Sequence, residues 1–387
     1  MFPRISDLFN YLFGTNLDLP VQTYGFFLAL AFVVASLILK SELKRKENDG
    51  LLNSRTVKRK MYVLPKPGEL LLNALISGII FWKIGGMFVH YQSFKAAPQE
   101  FLMSSQGWIL GGVLAAAYII GQYFYNKNKW KGKEPKEEKV EIHPHENTWN
   151  ILVIAVVAAL VGSKLFDLID NFSSFLKDPI GSIFSFSGLT FYGGFIVTVI
   201  TLLWYMKRIK LDWHYVIDAA APAIMIGYAV GRLGCQFSGD GCWGIVNEMA
   251  KPGFLAWLPD WMWAYTYPHN VINEGIPLPH CSGSNCMVLD KPVFPTPIYE
   301  SIVSFFWFLV LWFSRKKIKA PVVIFGLFLV LNGIERFLVE KIRVNHKYDV
   351  LGLQLTQAEI ISFSLFVIGI TLIIYFSRKH KKVQSVS

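Results

Sequence analysis

The chain has 387 residues, 53% hydrophobic and only 17% charged, with a formal net charge of +11. Soluble domains carry about 25% charged residues, and here the charges fall in short clusters between long apolar runs, which excludes an ordinary soluble globular domain. The Lys and Arg excess is spread over separate loops rather than gathered on one face among aromatics, which argues against a nucleic-acid partner.

The apolar runs are about 17–23 residues long, and a hydrocarbon core of roughly 30 Å takes about 20 helical residues. In chain order they predict transmembrane helices at 21–39, 69–91, 108–125, 149–168, 190–206, 215–234, 297–314, 321–339 and 358–377. The expected fold class is an all-α polytopic membrane protein of about nine transmembrane helices, one integral membrane domain over 1–387. The 149–168 and 215–234 segments are rich in Ala, as expected for helices buried among others.

Every second loop is basic. The first carries Lys40, Lys44, Arg45 and further basic residues up to Lys66; later ones carry Lys127 to Lys139, Lys207 to Lys210, Arg315 to Lys319 and Arg378 to Lys382. The alternate loops hold only scattered lysines such as Lys95, Lys177, Lys251 and Lys291. Basic loops stay cytoplasmic, so the N-terminus is expected outside and the C-terminus in the cytoplasm. The first twenty residues lack the pattern of a cleavable signal peptide, and none is expected.

Between the runs, residues 127–147 read as a polar cytoplasmic linker with His143 and His145 on its surface. Residues 235–296 are rich in Gly, Pro, Trp and Tyr and read as an aromatic cap against the outer leaflet. All four cysteines, Cys235, Cys242, Cys281 and Cys286, fall in that stretch. Cys281 and Cys286 enclose a loop short enough for a local disulfide, with free thiols or a zinc site as the alternatives. No internal repeat is visible, which weighs against the inverted-repeat transporters.

An ionisable residue inside a span costs roughly 2.5–3.5 kcal/mol and marks function by default. Arg232 ends one span within GYAVGRLGCQFSGDGCWG, where glycines strip side chains from the backbone. Arg336, Glu340 and Arg343 close the next-to-last span, the first two on one helical face at i, i+4. Tyr192 with Gly193 and Gly194, Tyr299 with Glu300, and Tyr24 stand at the same ends of their spans. All five places lie at one depth near the outer surface. They point to an anionic, membrane-resident ligand, for which an arginine fork suits a phosphate.

These motifs resemble the phosphatidylglycerol–prolipoprotein diacylglyceryl transferase family. The resemblance rests on Tyr24-Gly25, Gly162-x-Lys164, Gly-Leu-Thr-Phe-Tyr-Gly-Gly, Gly-Arg-Leu-Gly with its following Gly-Asp and Trp-Gly, Pro295-x-x-x-Tyr299-Glu300, and Arg336-Phe-x-x-Glu340-x-x-Arg343, in the family's order. It implies a seven-helix core in the bacterial inner membrane with its active site near the periplasmic face. The spans 69–91 and 108–125 have no counterpart in that pattern and read as a hairpin inserted over 60–147.

The implied reaction moves the diacylglyceryl group of phosphatidylglycerol onto the lipobox cysteine of a prolipoprotein signal peptide, forming a thioether and releasing glycerol phosphate. No cofactor or metal is implied; the partners are phosphatidylglycerol, the prolipoprotein and membrane lipids. Arg232, Arg336 and Tyr192 take the catalytic positions. Tyr24, Lys164, Gly193, Gly194, Gly234, Cys235, Asp240, Gly244, Tyr299, Glu300, Glu340 and Arg343 take the substrate-binding ones, with Asp240 and Glu340 orienting the guanidiniums. Tyr192 stands where the family has His, Cys235 where it has Asn, and Lys164 where it has Arg. Tyr192 is therefore expected to bind and orient rather than abstract a proton. A transporter or binding protein for an anionic lipid, or an inactive family member, is the alternative.

Overall fold

The computed structural model describes residues 1–384 apart from 97, 133–135, 186–189, 344–346 and 351–352. Each apolar run forms a helix: α1 (Thr23–Asn48), α2 (Pro67–Val89), α3 (Ile109–Lys129), α4 (Thr148–Asp170), α5 (Phe191–Arg208), α6 (Trp213–Ser238), α7 (Thr296–Ser314), α8 (Val323–Glu340) and α9 (Gln357–Gln384). Among the described residues, six helices are long and apolar enough to cross a membrane: α1, α2, α4, α6, α7 and α9. The other three end in or contain charges, as α8 does with Glu335, Arg336 and Glu340.

The chain divides into two compact units, one of residues 1–15, 21–54 and 143–387, the other of residues 16–20 and 55–142. In the smaller unit α2 and α3 cross on glycines. A Cβ at Gly112 would lie 2.9 Å from the Gly78 carbonyl, so only a bare Cα permits that approach. Lys83, charged within α2, reaches out of it to the carbonyls of Phe101 (3.1 Å), Gln106 (2.9 Å) and Ser104, which spares it a solitary place among apolar side chains.

The polar stretch expected as a solvated linker is instead half of an antiparallel ribbon. Strand β1 (Arg55–Met61) pairs with β2 (Lys136–Ile142), and Lys58 of the first reaches Glu137 of the second at 3.5 Å. A basic strand thus meets an acidic one, and opposite charges across a ladder are mutually favourable. His143 and His145, expected on the surface, bracket the Glu47 carboxylate through Nδ1 at 2.5 and 3.1 Å.

Among the six candidate spans α6 is the most buried, with half of its apolar window covered. Ala219 and Ala223 meet Leu39 and Leu43 of α1, while Ala221, Met225 and Ala229 meet Phe308 and Leu311 of α7. The other Ala-rich helix, α4, is not buried in the same way and leaves Val157, Leu160 and Val161 exposed. Its small residues receive α5: a Cβ at Gly162 would fall 2.5 Å from the Gly193 carbonyl and one at Gly194 2.9 Å from that of Ala159.

One end of this unit is closed by buried polar contacts. The Asp218 carboxylate, 3% exposed, accepts from the backbone N–H of Val322 and Phe325, both at 2.8 Å, and so caps α8 from α6. Glu42 pairs with Arg45 at 2.9 Å and with Arg315. Helix starts leave N–H groups without intrahelical partners, and in an apolar setting each needs an acceptor. Asp218→Ala is expected to cost about 2 kcal/mol, the worth of charge-assisted hydrogen bonds to orphan donors. The drop should appear in the thermal unfolding of the detergent-solubilised chain by far-ultraviolet circular dichroism.

Candidate active site

The opposite end of α6 and α8 carries the arginines, and the residue that gathers them is Glu300. It sits in the first turns of α7, where Pro295 and Pro297 start the helix, and it is fully buried. Its Oε2 accepts from the Tyr228 hydroxyl at 2.6 Å and pairs with Arg232 Nε. Its Oε1 faces Arg343 Nη1 at 3.1 Å and Arg336 Nη1 at 3.8 Å. One carboxylate therefore holds three guanidiniums delivered by α6, by α8 and by the segment just past it.

Each arginine has a second support. Arg232 lies one turn after Tyr228 on α6, donates to its hydroxyl at 3.1 Å and stacks over its ring at 5.0 Å. Arg336 pairs with Glu340 at 3.3 Å one turn along α8, the i, i+4 contact expected from spacing. Arg343 is placed by backbone: Gly244 bridges to it, and Ile245 N–H donates to the Ile342 carbonyl at 2.9 Å. A Cβ on Gly244 would run into that same carbonyl and into Thr296 Cγ2 at 2.9 Å, so the glycine is what lets the 238–296 stretch close on α7 and α8.

Other predicted residues serve different contacts. Asp240 accepts from Cys242 N–H at 3.2 Å, so the carboxylate that holds Arg232 is Glu300 and not Asp240. Tyr299 donates to the Met262 carbonyl at 2.7 Å and anchors the aromatic stretch. Gly234 packs α6 on α1, 3.4 Å from the Tyr24 carbonyl for an added Cβ. Gly193 and Gly194 are the close-packing surface of α5 on α4 already described, and Lys164 donates to Asp167 at 3.1 Å within α4. Tyr24 and Tyr192 are each 42% exposed at the starts of α1 and α5. The beginning of the Tyr192 motif, 187–189, lies outside the described residues. Cys235, expected in the cap, belongs to the last turn of α6, which runs to Ser238; it is buried and accepts from Arg232 Nη1 at 3.8 Å.

Two residues of the cluster carry no predicted site role. Tyr228 precedes Arg232 by one helical turn, and that spacing is the signal that would have found it. Glu335 is 2% exposed, and neither of its oxygens has a hydrogen-bond partner among the described residues. Its neighbour Arg336 obscures it, since adjacent helical residues face different ways.

Beyond these residues, Trp243 and Tyr267 pack at 4.9 Å beneath the aromatic stretch, and burial raises the Tyr267 hydroxyl well above its ordinary pKa. Cys281 and Cys286 are disulfide-bonded. The stretch is thus a folded layer with its own small core of Trp243, Tyr267, Leu289 and Val293.

Fold and site together define a polytopic helical membrane protein with a buried arginine–carboxylate cluster at one end of its helices. Residues 110–375 match the family model of prolipoprotein diacylglyceryl transferase, a region that begins within α3 and runs through α9. The chain is 31% identical over 258 residues to a phosphatidylglycerol–prolipoprotein diacylglyceryl transferase of Leptospira interrogans, across 60% of this chain and 69% of that one. Enzymes of the same name from Dehalococcoides mccartyi (29% over 235 residues, 61% of this chain and 79% of theirs) and Clostridium botulinum (28% over 241 residues, 62% and 82%) are also similar. The chain belongs to the prolipoprotein diacylglyceryl transferase family.

Removing the hub carboxylate leaves three cations facing one another in a water-poor site. Breaking a buried pair by deleting one partner costs about 3–5 kcal/mol. Glu300→Gln, which keeps the volume and the Tyr228 contact but loses the charge, is expected to destabilise the chain by an amount in that range. Thermal unfolding in detergent checks it, and an unchanged midpoint would show that the arginines hold one another by other means.

Proposed function

We propose that this chain transfers the diacylglyceryl group of phosphatidylglycerol to the lipobox cysteine thiol of prolipoproteins, with Arg232 and Arg336 as the phosphate-binding catalytic residues. The cysteine sulfur attacks the glycerol carbon that carries the phosphate. The carbon–oxygen bond breaks, a thioether forms, and glycerol phosphate leaves with the bonding pair and takes up the thiol proton. We place the reaction at the outer face of a bacterial inner membrane, with nine membrane-spanning helices, the N-terminus outside and the C-terminus in the cytoplasm, as the alternation of basic loops implies.

The observation that carries the reading is the sharing of one carboxylate by three guanidiniums. Each guanidinium offers five N–H donors, and Arg336 Nη1 makes no hydrogen bond among the described residues while lying 3.8 Å from Glu300. Donors remain for the oxygens of a phosphate, whose charge grows as the carbon–oxygen bond breaks. Fixed donors aimed at developing charge are the largest single contribution in many enzymes.

The thiol makes a smaller demand. Free cysteine has a pKa of about 8.5 and reacts as the thiolate, so modest assistance suffices. Tyr192, exposed at the start of α5, binds and orients the headgroup or peptide in this scheme, with Tyr24 and Lys164 beside it in the binding set.

A transporter would place its charges near the bilayer midplane between repeats or broken helices, whereas these gather at helix ends. The test is purified protein with phosphatidylglycerol and a lipobox peptide, read as thioether-linked diacylglyceryl product by mass spectrometry. Arg232→Ala and Arg336→Ala are each expected to lower the rate by about 100-fold or more, and Tyr192→Phe to keep substantial turnover. Absence of thioether product from the folded wild-type chain would leave the transporter or an inactive member, and complete loss in a folded Tyr192→Phe protein would make that hydroxyl essential.

A further inference from the structure

Beside the arginine cluster lies a second group of polar side chains, to which the proposed transfer step assigns no chemistry. Cys235 is buried in the last turn of α6, and Asp240 and Cys242 lie half-buried in the loop that follows. The two sulfurs and a carboxylate oxygen all lie within 4.8 Å of one another. Cys235 and Cys242 are also the chain's free thiols, since Cys281 and Cys286 are bonded to each other.

The backbone brings these three together. Gly239 (φ +66°) and Gly241 (φ +87°) both occupy the left-handed region, on either side of Asp240, a conformation glycine adopts at no steric cost. Gly239 N–H closes the helix on the Cys235 carbonyl at 3.1 Å, and Cys242 N–H donates to Asp240 Oδ1 at 3.2 Å. The chain thus reverses within a few residues and returns a carboxylate and a second thiol to the first. Asn270 packs against the turn, 3.0 Å from where a Gly239 Cβ would stand, and fixes it from the other side.

Two thiolates and a carboxylate are the donor set of a borderline-soft cation without geometric preference, such as Zn²⁺. Bonds of about 2.3 Å to sulfur and about 2.1 Å to oxygen set tetrahedral ligand atoms roughly 3.5–3.8 Å apart, so the cluster needs to contract by no more than about 1 Å. Binding requires both thiols to give up their protons to solvent. Arg232 Nη1 donates to Cys235 Sγ at 3.8 Å, which ties the cluster to the last turn of α6.

We propose that Cys235, Asp240 and Cys242 form a site for one zinc-class divalent cation, with a solvent molecule as the fourth ligand. Its occupancy is independent of whether the chain transfers lipid. Two thiolates and one carboxylate around a dication leave one net negative charge next to Arg232, so the loaded site offers that guanidinium a partner besides Glu300.

Cobalt(II) reports such a site directly, because thiolate coordination gives a near-ultraviolet charge-transfer band and strong tetrahedral bands in the visible. The full-length, reduced, metal-stripped protein in detergent should bind one equivalent of Co²⁺ with both signals and release it to Zn²⁺. Cys235→Ser and Cys242→Ser should each weaken the charge-transfer band and the binding, and the double variant should lose the band. Asp240→Asn should keep the band and weaken binding by about 10-fold or more. If the variants fail to fold, Zn²⁺ protection of the two native thiols from alkylation gives the same answer in the unaltered chain. The proposal fails if a thiol titration finds both thiols reduced and Co²⁺ gives no charge-transfer band. It fails equally if peptide mapping of the unreduced protein finds a Cys235–Cys242 disulfide, or if the band survives in the double variant.

Discussion

A fully buried carboxylate facing three arginines is the interaction on which the active end of this molecule depends. Glu300 accepts from Tyr228 and pairs with Arg232, Arg336 and Arg343, which ties α6, α7, α8 and the segment beyond α8 to a single point. Charges of one sign cannot be concentrated in a membrane-embedded protein without such a counter-charge, because each would cost several kcal/mol alone. The carboxylate therefore has to be buried with them. The helix start at Pro295 and Pro297 holds it there, and the aromatic stretch closes over it through Gly244 and Tyr299.

The same logic appears at the other end in a purely structural form. Asp218 caps α8 from the side of α6, and Glu42 joins Arg45 and Arg315. Both ends of α6 and α8 are thus pinned by carboxylates, and the middle is left to small residues and apolar contacts. Dispersion and close approach carry the rest, since lipid offers no hydrophobic drive for helices to associate. Glycine at the α4–α5 and α2–α3 crossings follows from this, and so does the alanine face of α6.

Helix positions were legible from the apolar runs, all of which coincide with helices. The arginines and the Arg336–Glu340 pair were legible too, because charge in an apolar segment and i, i+4 spacing are local signals. What sequence could not supply is which distant groups meet. Glu300 lies 68 residues after Arg232 (300 − 232), and nothing local distinguishes a helix-start glutamate that caps from one that gathers three cations. The resemblance gave Asp240 the orienting role, but between two left-handed glycines its carboxylate accepts from Cys242 N–H instead. The ribbon of β1 and β2 was missed for the same reason. Its two halves are separated by α2 and α3, and each alone reads as a solvated charge run.

The cluster's composition also bears on how it would accelerate transfer. A phosphodiester carries one negative charge, and the phosphate that departs from it carries more as the carbon–oxygen bond breaks. A site whose donors were fully occupied by carboxylates would respond little to that change, and one with no carboxylate would leave like charges buried and unpaired until phosphate arrived. Only interactions stronger in the transition state than in the ground state raise the rate. Glu300 shares its two oxygens among Tyr228 and three guanidiniums, and Arg336 Nη1 makes no hydrogen bond among the described residues, a donor that a growing dianion would use more fully than a monoanion. In the proposed reaction the hub carboxylate would in that sense be part of the catalytic device: it pairs the arginines without phosphate, and it leaves a donor of Arg336 to respond when charge appears.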